Sequence, residues 1–102
     1  MYRAGDEVDQ REWLEELQAV ADRLDLDAPA RSTAQDLFLS RLPESERSKR
    51  AVMAASLYAG ALIAGEERSQ TAVADAASVS RLVIQRRWKA LLRDAGFEPP
   101  EW

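Results

Sequence analysis

The chain has 102 residues, a net charge of −4 at pH 7 and 46% hydrophobic residues. This size and composition predict a single domain over residues 1–102, with a hydrophobic core between residues 8 and 97. The sequence contains neither cysteine nor histidine, which excludes disulfides, zinc fingers and catalysis by thiol or imidazole groups. We therefore expect a protein that is not an enzyme and that uses no cofactor and no metal.

The longest apolar run covers residues 51–64 and is shorter than the roughly 18–20 residues that cross a bilayer. We therefore expect a cytoplasmic protein with no membrane contact. Twelve of the 14 basic residues are arginine, and they face 18 acidic residues. An acidic, lysine-poor surface suits concentrated salt, which screens its self-repulsion. This favours a halophilic, archaeal source over the alternative of an ordinary acidic bacterial protein.

Acidic residues are concentrated at the start of the chain, where residues 1–30 hold nine acidic and three basic residues. Apolar residues recur there at steps of three and four, which predicts a first helix from about residue 6 or 8 to residue 24. A second helix follows from Pro29, because proline suits a first helical turn. The residues predicted to face inward are Trp13, Leu17, Val20, Ala21 and Leu24 on the first helix, and Leu37, Phe38 and Leu42 on the second.

A third helix is predicted between a proline and a glycine. Pro43 ends the second helix, and either Ser45 or Ser48 caps the third, which extends to about residue 64. Gly65 then closes it in a left-handed conformation. Residues 66–68 are predicted to form an exposed corner.

The run AVMAASLYAGALIA in this third helix is apolar on nearly all sides. Such a pattern is typical of a helix that other helices surround, so we expect it at the centre of the bundle. Gly60 would let a neighbouring helix approach closely. Tyr58 and Leu62 are predicted to be its large core residues.

Two further helices joined by a tight turn are predicted after residue 68. Ser69 caps the fourth helix, which ends near Ala77. In the turn that follows, Val79 points inward and Ser80 caps the fifth helix. Many turns of this kind have glycine where Ser78 stands, so either slight backbone strain or a modest adjustment of the turn is expected there.

The fifth helix is predicted from residue 81 to about residue 95, with Gly96 ending it and Phe97 packing back on its last turn. At about 100° per residue, one face of this helix is apolar and the opposite face is basic. The apolar face carries Ile84, Trp88, Leu91, Leu92 and Ala95. The basic face carries Leu82, Arg86, Lys89 and Arg93, with Val83 and Gln85 on its flanks.

The basic face of the fifth helix is the main functional signal. Residues 78–97 hold five basic residues and one acidic residue in an otherwise acidic chain. A helix of this kind can enter the major groove of DNA, where basic side chains meet phosphates or guanine, glutamine meets adenine and leucine meets the thymine methyl group. The alternative is a solvated helix surface with one stray leucine. The predicted DNA contacts are Arg81, Leu82, Gln85, Arg86, Lys89 and Arg93.

The segment GEERSQTAVADAASVSRLVIQRRWKALL resembles the end of a cyclin-box repeat of the TFIIB family, which includes archaeal transcription factor B. The second of the family's two repeats is the more similar one, and a weaker resemblance extends back to residue 13. It implies an all-α, five-helix cyclin-like bundle with a C-terminal helix-turn-helix. In the family, the second repeat reads a promoter element beside the TATA box. The base-reading positions fall on Leu82 and Gln85, where the family usually has valine and arginine.

The resemblance implies a small transcriptional regulator that binds double-stranded DNA near promoters. The family also has a zinc ribbon and a second repeat; without cysteines and with room for one repeat, a stand-alone regulator is expected rather than a general initiation factor. Partners implied are the TATA-binding protein or another transcription protein, and a homodimer is a further expectation. The alternative is a cyclin-fold interaction module that binds a regulatory protein and not DNA, with its acidic first helix facing a basic partner.

Overall fold

The computed structural model describes residues 4–40 and 46–99, and within them the side chains of residues 11–40 and 49–99. These ranges contain helices and connecting turns but no strand, so the predicted all-α class is confirmed. None of the described helices is long and apolar enough to cross a membrane. The helices are α1 (Ala4–Arg23), α2 (Ala28–Ser40), α3 (Glu46–Ile63), α4 (Gln70–Ala77) and α5 (Arg81–Asp94).

The junction between α2 and α3 was predicted from a proline and two serines. Leu42, Pro43 and Ser45 lie outside the described residues. Ser48 lies within α3, which begins at Glu46, so the prediction that Ser48 caps this helix is wrong. A cap must precede the first helical residue, because its backbone is not yet helical.

Helix α3 is the centre of the bundle, as predicted. Every residue from position 51 to position 61 is buried, and α1, α2, α4 and α5 all pack against it. Met53, Leu57 and Tyr58 are its largest buried side chains. Leu62 is only partly buried, which corrects its prediction as a main core residue: it lies in the last turn, at the edge of the surrounding helices.

Helices α2 and α3 meet backbone to backbone at Gly60. A β-carbon built on Gly60 would lie 2.7 Å from the backbone nitrogen of Ala34 and 2.9 Å from its α-carbon. No real β-carbon approaches that closely, so only glycine fits at this crossing. The close approach predicted for Gly60 is confirmed.

The core extends from α3 into α5 through two aromatic rings. Trp88 is fully buried, and its ring lies 5.2 Å from that of Tyr58 in an edge-on arrangement, a geometry that aromatic pairs favour. Burial raises the pKa of Tyr58 above 10.0, while a hydrogen bond with Gln70 opposes that shift. Ala95 is exposed because α5 ends at Asp94, so its predicted place in the core is wrong.

Four helices end in the same hydrogen-bonded motif, with one residue in the left-handed region. At the end of α5, the Phe97 N–H donates to the Leu92 carbonyl at 2.9 Å and the Gly96 N–H to the Arg93 carbonyl at 3.0 Å. This is the Schellman pattern, as predicted for Gly96, although the Phe97 side chain remains 46% exposed. The left-handed residues are Asp25 (φ 56°), Gly65 (φ 79°), Ser78 (φ 61°) and Gly96 (φ 89°).

Residues 66–68, which follow α3, were predicted to form an exposed corner. Instead, Glu66 and Arg68 form hydrogen bonds with the segment that follows α1. Arg68 is partly buried, and its guanidinium donates to the carbonyls of Leu24 at 2.9 Å and Asp25 at 3.0 Å. The Glu66 carboxylate accepts the Asp27 N–H at 2.7 Å. A cation at the carbonyl end of a helix is electrostatically favourable, so Arg68 fixes the end of α1 to the segment that leads into α4.

Candidate nucleic-acid interface

Both helices of the predicted helix-turn-helix begin at a serine cap. The Ser69 hydroxyl accepts the N–H of Ala72 at 3.0 Å at the start of α4. The Ser80 hydroxyl accepts the N–H of Val83 at 3.4 Å at the start of α5. Each bond satisfies an amide that the helix itself leaves without a partner, so the two caps fix where α4 and α5 begin.

The turn between α4 and α5 is short and left-handed. Ser78 has φ 61° and ψ 43°, a conformation that costs about 1–2 kcal/mol for residues other than glycine. The N–H of Val79 donates to the Ala74 carbonyl at 3.0 Å, and Val79 packs against the core with its side chain partly buried. The predicted turn, with strain at Ser78, is thus present.

The turn places α5 with one side in the core and the other in solvent. Four residues of α5 are buried, namely Ile84, Trp88, Leu91 and Leu92. The opposite side carries most of the residues predicted to contact DNA, and Leu82 is 49% exposed among them. We name as the α5 stripe the residues Leu82, Gln85, Arg86, Lys89 and Arg93.

Lys89 differs from the other members of the α5 stripe because it is partly buried. Its ammonium group lies 5.5 Å from the centre of the Trp88 ring, within the distance of a cation–π contact. Gln85, Arg86 and Arg93 are exposed. The stripe therefore has exposed guanidinium groups on both sides of a lysine that lies against the Trp88 ring.

Arg81, the remaining predicted contact, lies at the start of α5 and off the stripe. Its guanidinium donates to the side-chain oxygen of Gln70 at 2.9 Å, which links the first turns of α4 and α5. Arg87 is also exposed but lies about 100° around the helix from Arg86. In the cleft beside α3, both Arg86 and Arg87 lie with Val52 and Ala90.

A second concave surface lies beside the turn, and sequence reasoning missed it. Trp13 was predicted to be a core residue, but it is only partly buried, because Arg50 rather than an apolar side chain covers its ring at 5.2 Å. No local pattern connects these residues, which are far apart in sequence. We name as the Trp13 groove the cleft of about 690 Å³ lined by Trp13, Arg50, Ala51, Ser78, Val79, Ser80 and Val83.

Arg50 joins the Trp13 groove to the helix-turn-helix. Its guanidinium donates to the carbonyl of Ala77 at 3.0 Å and lies 3.3 Å from the carboxylate of Glu16. One side chain thus contacts α1, the end of α4 and the ring of Trp13. Among the described side chains, no group of three or more residues could hold a metal ion.

Comparison with known proteins identifies relatives of the whole bundle. The family model of the transcription factor TFIIB repeat matches residues 8–94. The chain is 32% identical over 83 residues to transcription initiation factor IIB of Pyrococcus abyssi, covering 78% of this chain and 28% of the relative. It is 28% identical over 90 residues to transcription initiation factor IIB 2 of Thermococcus kodakarensis, covering 85% and 29%. The chain thus spans less than a third of the length of these relatives.

Proposed function

The chain belongs to the TFIIB family of transcription factors, and we propose that it is a small DNA-binding regulator of transcription. The observation that carries this proposal is the α5 stripe: three basic residues, a glutamine and a half-exposed leucine on a helix whose other side is held in the core. A rigid helix with such a face fits the major groove of B-DNA. In a chain with a net charge of −4, this concentration of positive charge favours a phosphate backbone as the partner.

The residues of the α5 stripe would make different contacts with DNA. Arg86 and Arg93 would contact phosphates or guanine edges, and Lys89 would add a cation at a fixed position. Leu82 and Gln85 would meet base edges, through a thymine methyl group and adenine respectively. Arg81 would approach the backbone at the start of α5, where the helix dipole also favours an anion.

One recognition helix makes few base contacts, so we propose that a second protein completes the assembly at a promoter. The resemblance to the TFIIB family suggests the TATA-binding protein or another transcription protein, and a homodimer would also double the contacts. The relatives are named as initiation factors. Sedimentation of the chain with and without duplex DNA would distinguish one copy from two.

Fluorescence anisotropy with a labelled promoter duplex tests the docking face. We expect the double variant Arg86→Ala and Arg93→Ala to bind more weakly and to lower the dependence of log K on log salt by up to about 1.8, since each phosphate contact contributes about 0.9. The matched control is Arg11→Ala with Arg87→Ala, which removes the same charge from exposed positions off the stripe. Equal losses in both double variants would show that α5 does not dock through the stripe.

The same titration tests the proposed adaptation to concentrated salt. Electrostatic affinity falls steeply as salt rises, so a protein that works at high salt must rely more on shape and apolar contact. We expect specific binding to persist at salt concentrations where binding to an unrelated duplex has disappeared. Loss of both at the same concentration would contradict a halophilic setting.

A further inference from the structure

The Trp13 groove lies between the acidic first helix and the start of α5. Its surface is largely apolar, with Trp13, Ala51, Val79 and Val83 contributed by α1, α3, the turn and α5. Trp13, Val79 and Val83 remain partly accessible although they are apolar. A volume of about 690 Å³ lies within the range of known ligand pockets, about 300–1,000 Å³.

One end of the groove is acidic. A smaller cleft of about 190 Å³ shares Trp13 and Arg50 with the groove and adds Glu12 and Glu16. Arg50 is engaged by Glu16 and by the ring of Trp13, so its charge is compensated within the protein. Glu12 is exposed and forms no ion pair with another described side chain. An occupant therefore meets apolar surface first and the exposed carboxylate of Glu12 at the edge.

From this arrangement, we propose that the Trp13 groove binds a protein segment with a bulky aliphatic side chain and a basic residue about one helical turn away. The aliphatic side chain would cover Trp13, Val79 and Val83, and the cation would pair with Glu12. An apolar anchor with a polar rim is a common mode of peptide recognition. A peptide is favoured over a nucleic acid at this edge, because Glu12 attracts a cation and repels phosphate.

This site is distinct from the α5 stripe, although Ser80, which lines the groove, directly precedes Arg81. Val83 lines the groove while Leu82 lies on the α5 stripe, about 100° around the same helix. A partner in the groove would sit beside α5 without covering the stripe. The test uses no DNA, so its failure and a failure of DNA binding are separate results.

The probe is a panel of four labelled peptides about ten residues long, which combine leucine or methionine with arginine three or four positions away. Binding is measured by fluorescence anisotropy at low salt. We expect at least one peptide to bind, and its variants with aspartate for the aliphatic residue or glutamate for arginine to bind at least about fivefold more weakly. Absence of binding by all four at about 1 mM would overturn the proposal.

Charge reversal on α1 tests where the cation binds. Glu12→Lys should weaken the best peptide roughly three- to tenfold, because an exposed attraction becomes a repulsion. Glu15→Lys is the matched control: it makes the same change at an exposed position of the same helix that does not line the groove. Equal effects of the two variants would refute the proposed contact, provided that both retain the parent's circular dichroism and melting temperature.

Amide chemical shifts locate the bound peptide directly. On titration of the nitrogen-15-labelled chain, we expect the largest shifts at residues 50–51, 78–80 and 83, which line the groove. A separate cleft near Phe97, lined also by Leu37 and Ile63, serves as the internal comparison. Shifts confined to that second cleft would assign the peptide to another surface and overturn the proposal.

Discussion

Helices α3 and α5 pack against each other, but they differ in how much of each is buried. In α3, every residue from position 51 to position 61 is buried. In α5, four of 14 residues are buried, and its outer side carries the proposed DNA contacts. The sequence of α3 is therefore constrained on all sides by packing, whereas α5 is constrained by packing on one side only.

Because of this difference, we expect substitutions in α3 to affect mainly stability and substitutions on the outer side of α5 to affect mainly binding. A change in α3 alters contacts with four neighbouring helices, and its main effect is on the free energy of unfolding. A change on the outer side of α5 leaves the core untouched, so any loss of binding that it causes can be assigned to the lost contact.

The largest effect is expected at the crossing of α2 and α3. Gly60→Val should lower the free energy of unfolding by about 3 kcal/mol or more, because even its β-carbon would lie 2.7 Å from the Ala34 nitrogen. Chemical denaturation measures the change. The counterpart on α5 is Ala90→Val, which enlarges an exposed side chain and should cost no more than about 0.7 kcal/mol, the penalty for a β-branched residue in a helix. Similar losses in the free energy of unfolding at both positions would contradict the claim that packing constrains α3 more than the outer side of α5.

Leu82 lies on the outer side of α5, where we expect a substitution to lower affinity for DNA without lowering stability. Leu82→Ala should change the free energy of unfolding by less than about 0.5 kcal/mol, since the side chain is half exposed and surface changes are usually small. If Leu82 is covered by a thymine methyl group, affinity for the promoter duplex should fall about tenfold through lost apolar burial. Anisotropy and denaturation on the same preparations separate the two effects. A drop in stability that matches the drop in affinity would assign Leu82 to the fold.

The sequence predicted the fold well because helical periodicity and caps are local signals. The buried side of α5 and the caps at Ser69 and Ser80 follow from residues within one or two turns. Trp13 fell on the predicted inward stripe of α1, but its true exposure depends on Arg50, which lies 37 positions further along the chain. Such contacts leave no local pattern in the sequence. The DNA-contacting role of the α5 stripe likewise stays a prediction, because it concerns a partner.

A smaller gain in stability is expected at the turn that orients α5. Ser78→Gly should raise the free energy of unfolding by about 0.5–1 kcal/mol, because glycine adopts a positive φ without the penalty of a side chain. The control is Ser80→Gly, two residues on, where φ is −79° and the hydroxyl caps α5. That variant should lose a few tenths of a kcal/mol. A loss of stability in Ser78→Gly would mean that the serine side chain itself stabilises the turn and that backbone geometry is not the only factor.

The smallest effect is expected at Ser56, the polar exception inside α3. Its hydroxyl is fully buried and has no hydrogen-bond partner among the described residues. Ser56→Ala should raise the free energy of unfolding by about 0.5 kcal/mol, because alanine removes a buried polar group and is the better helix former. In the control Ser40→Ala, at the end of α2, the lost hydroxyl donates to the Leu37 carbonyl at 2.8 Å. We expect no gain there, so a gain confined to position 56 would show that packing in α3 favours a wholly apolar helix.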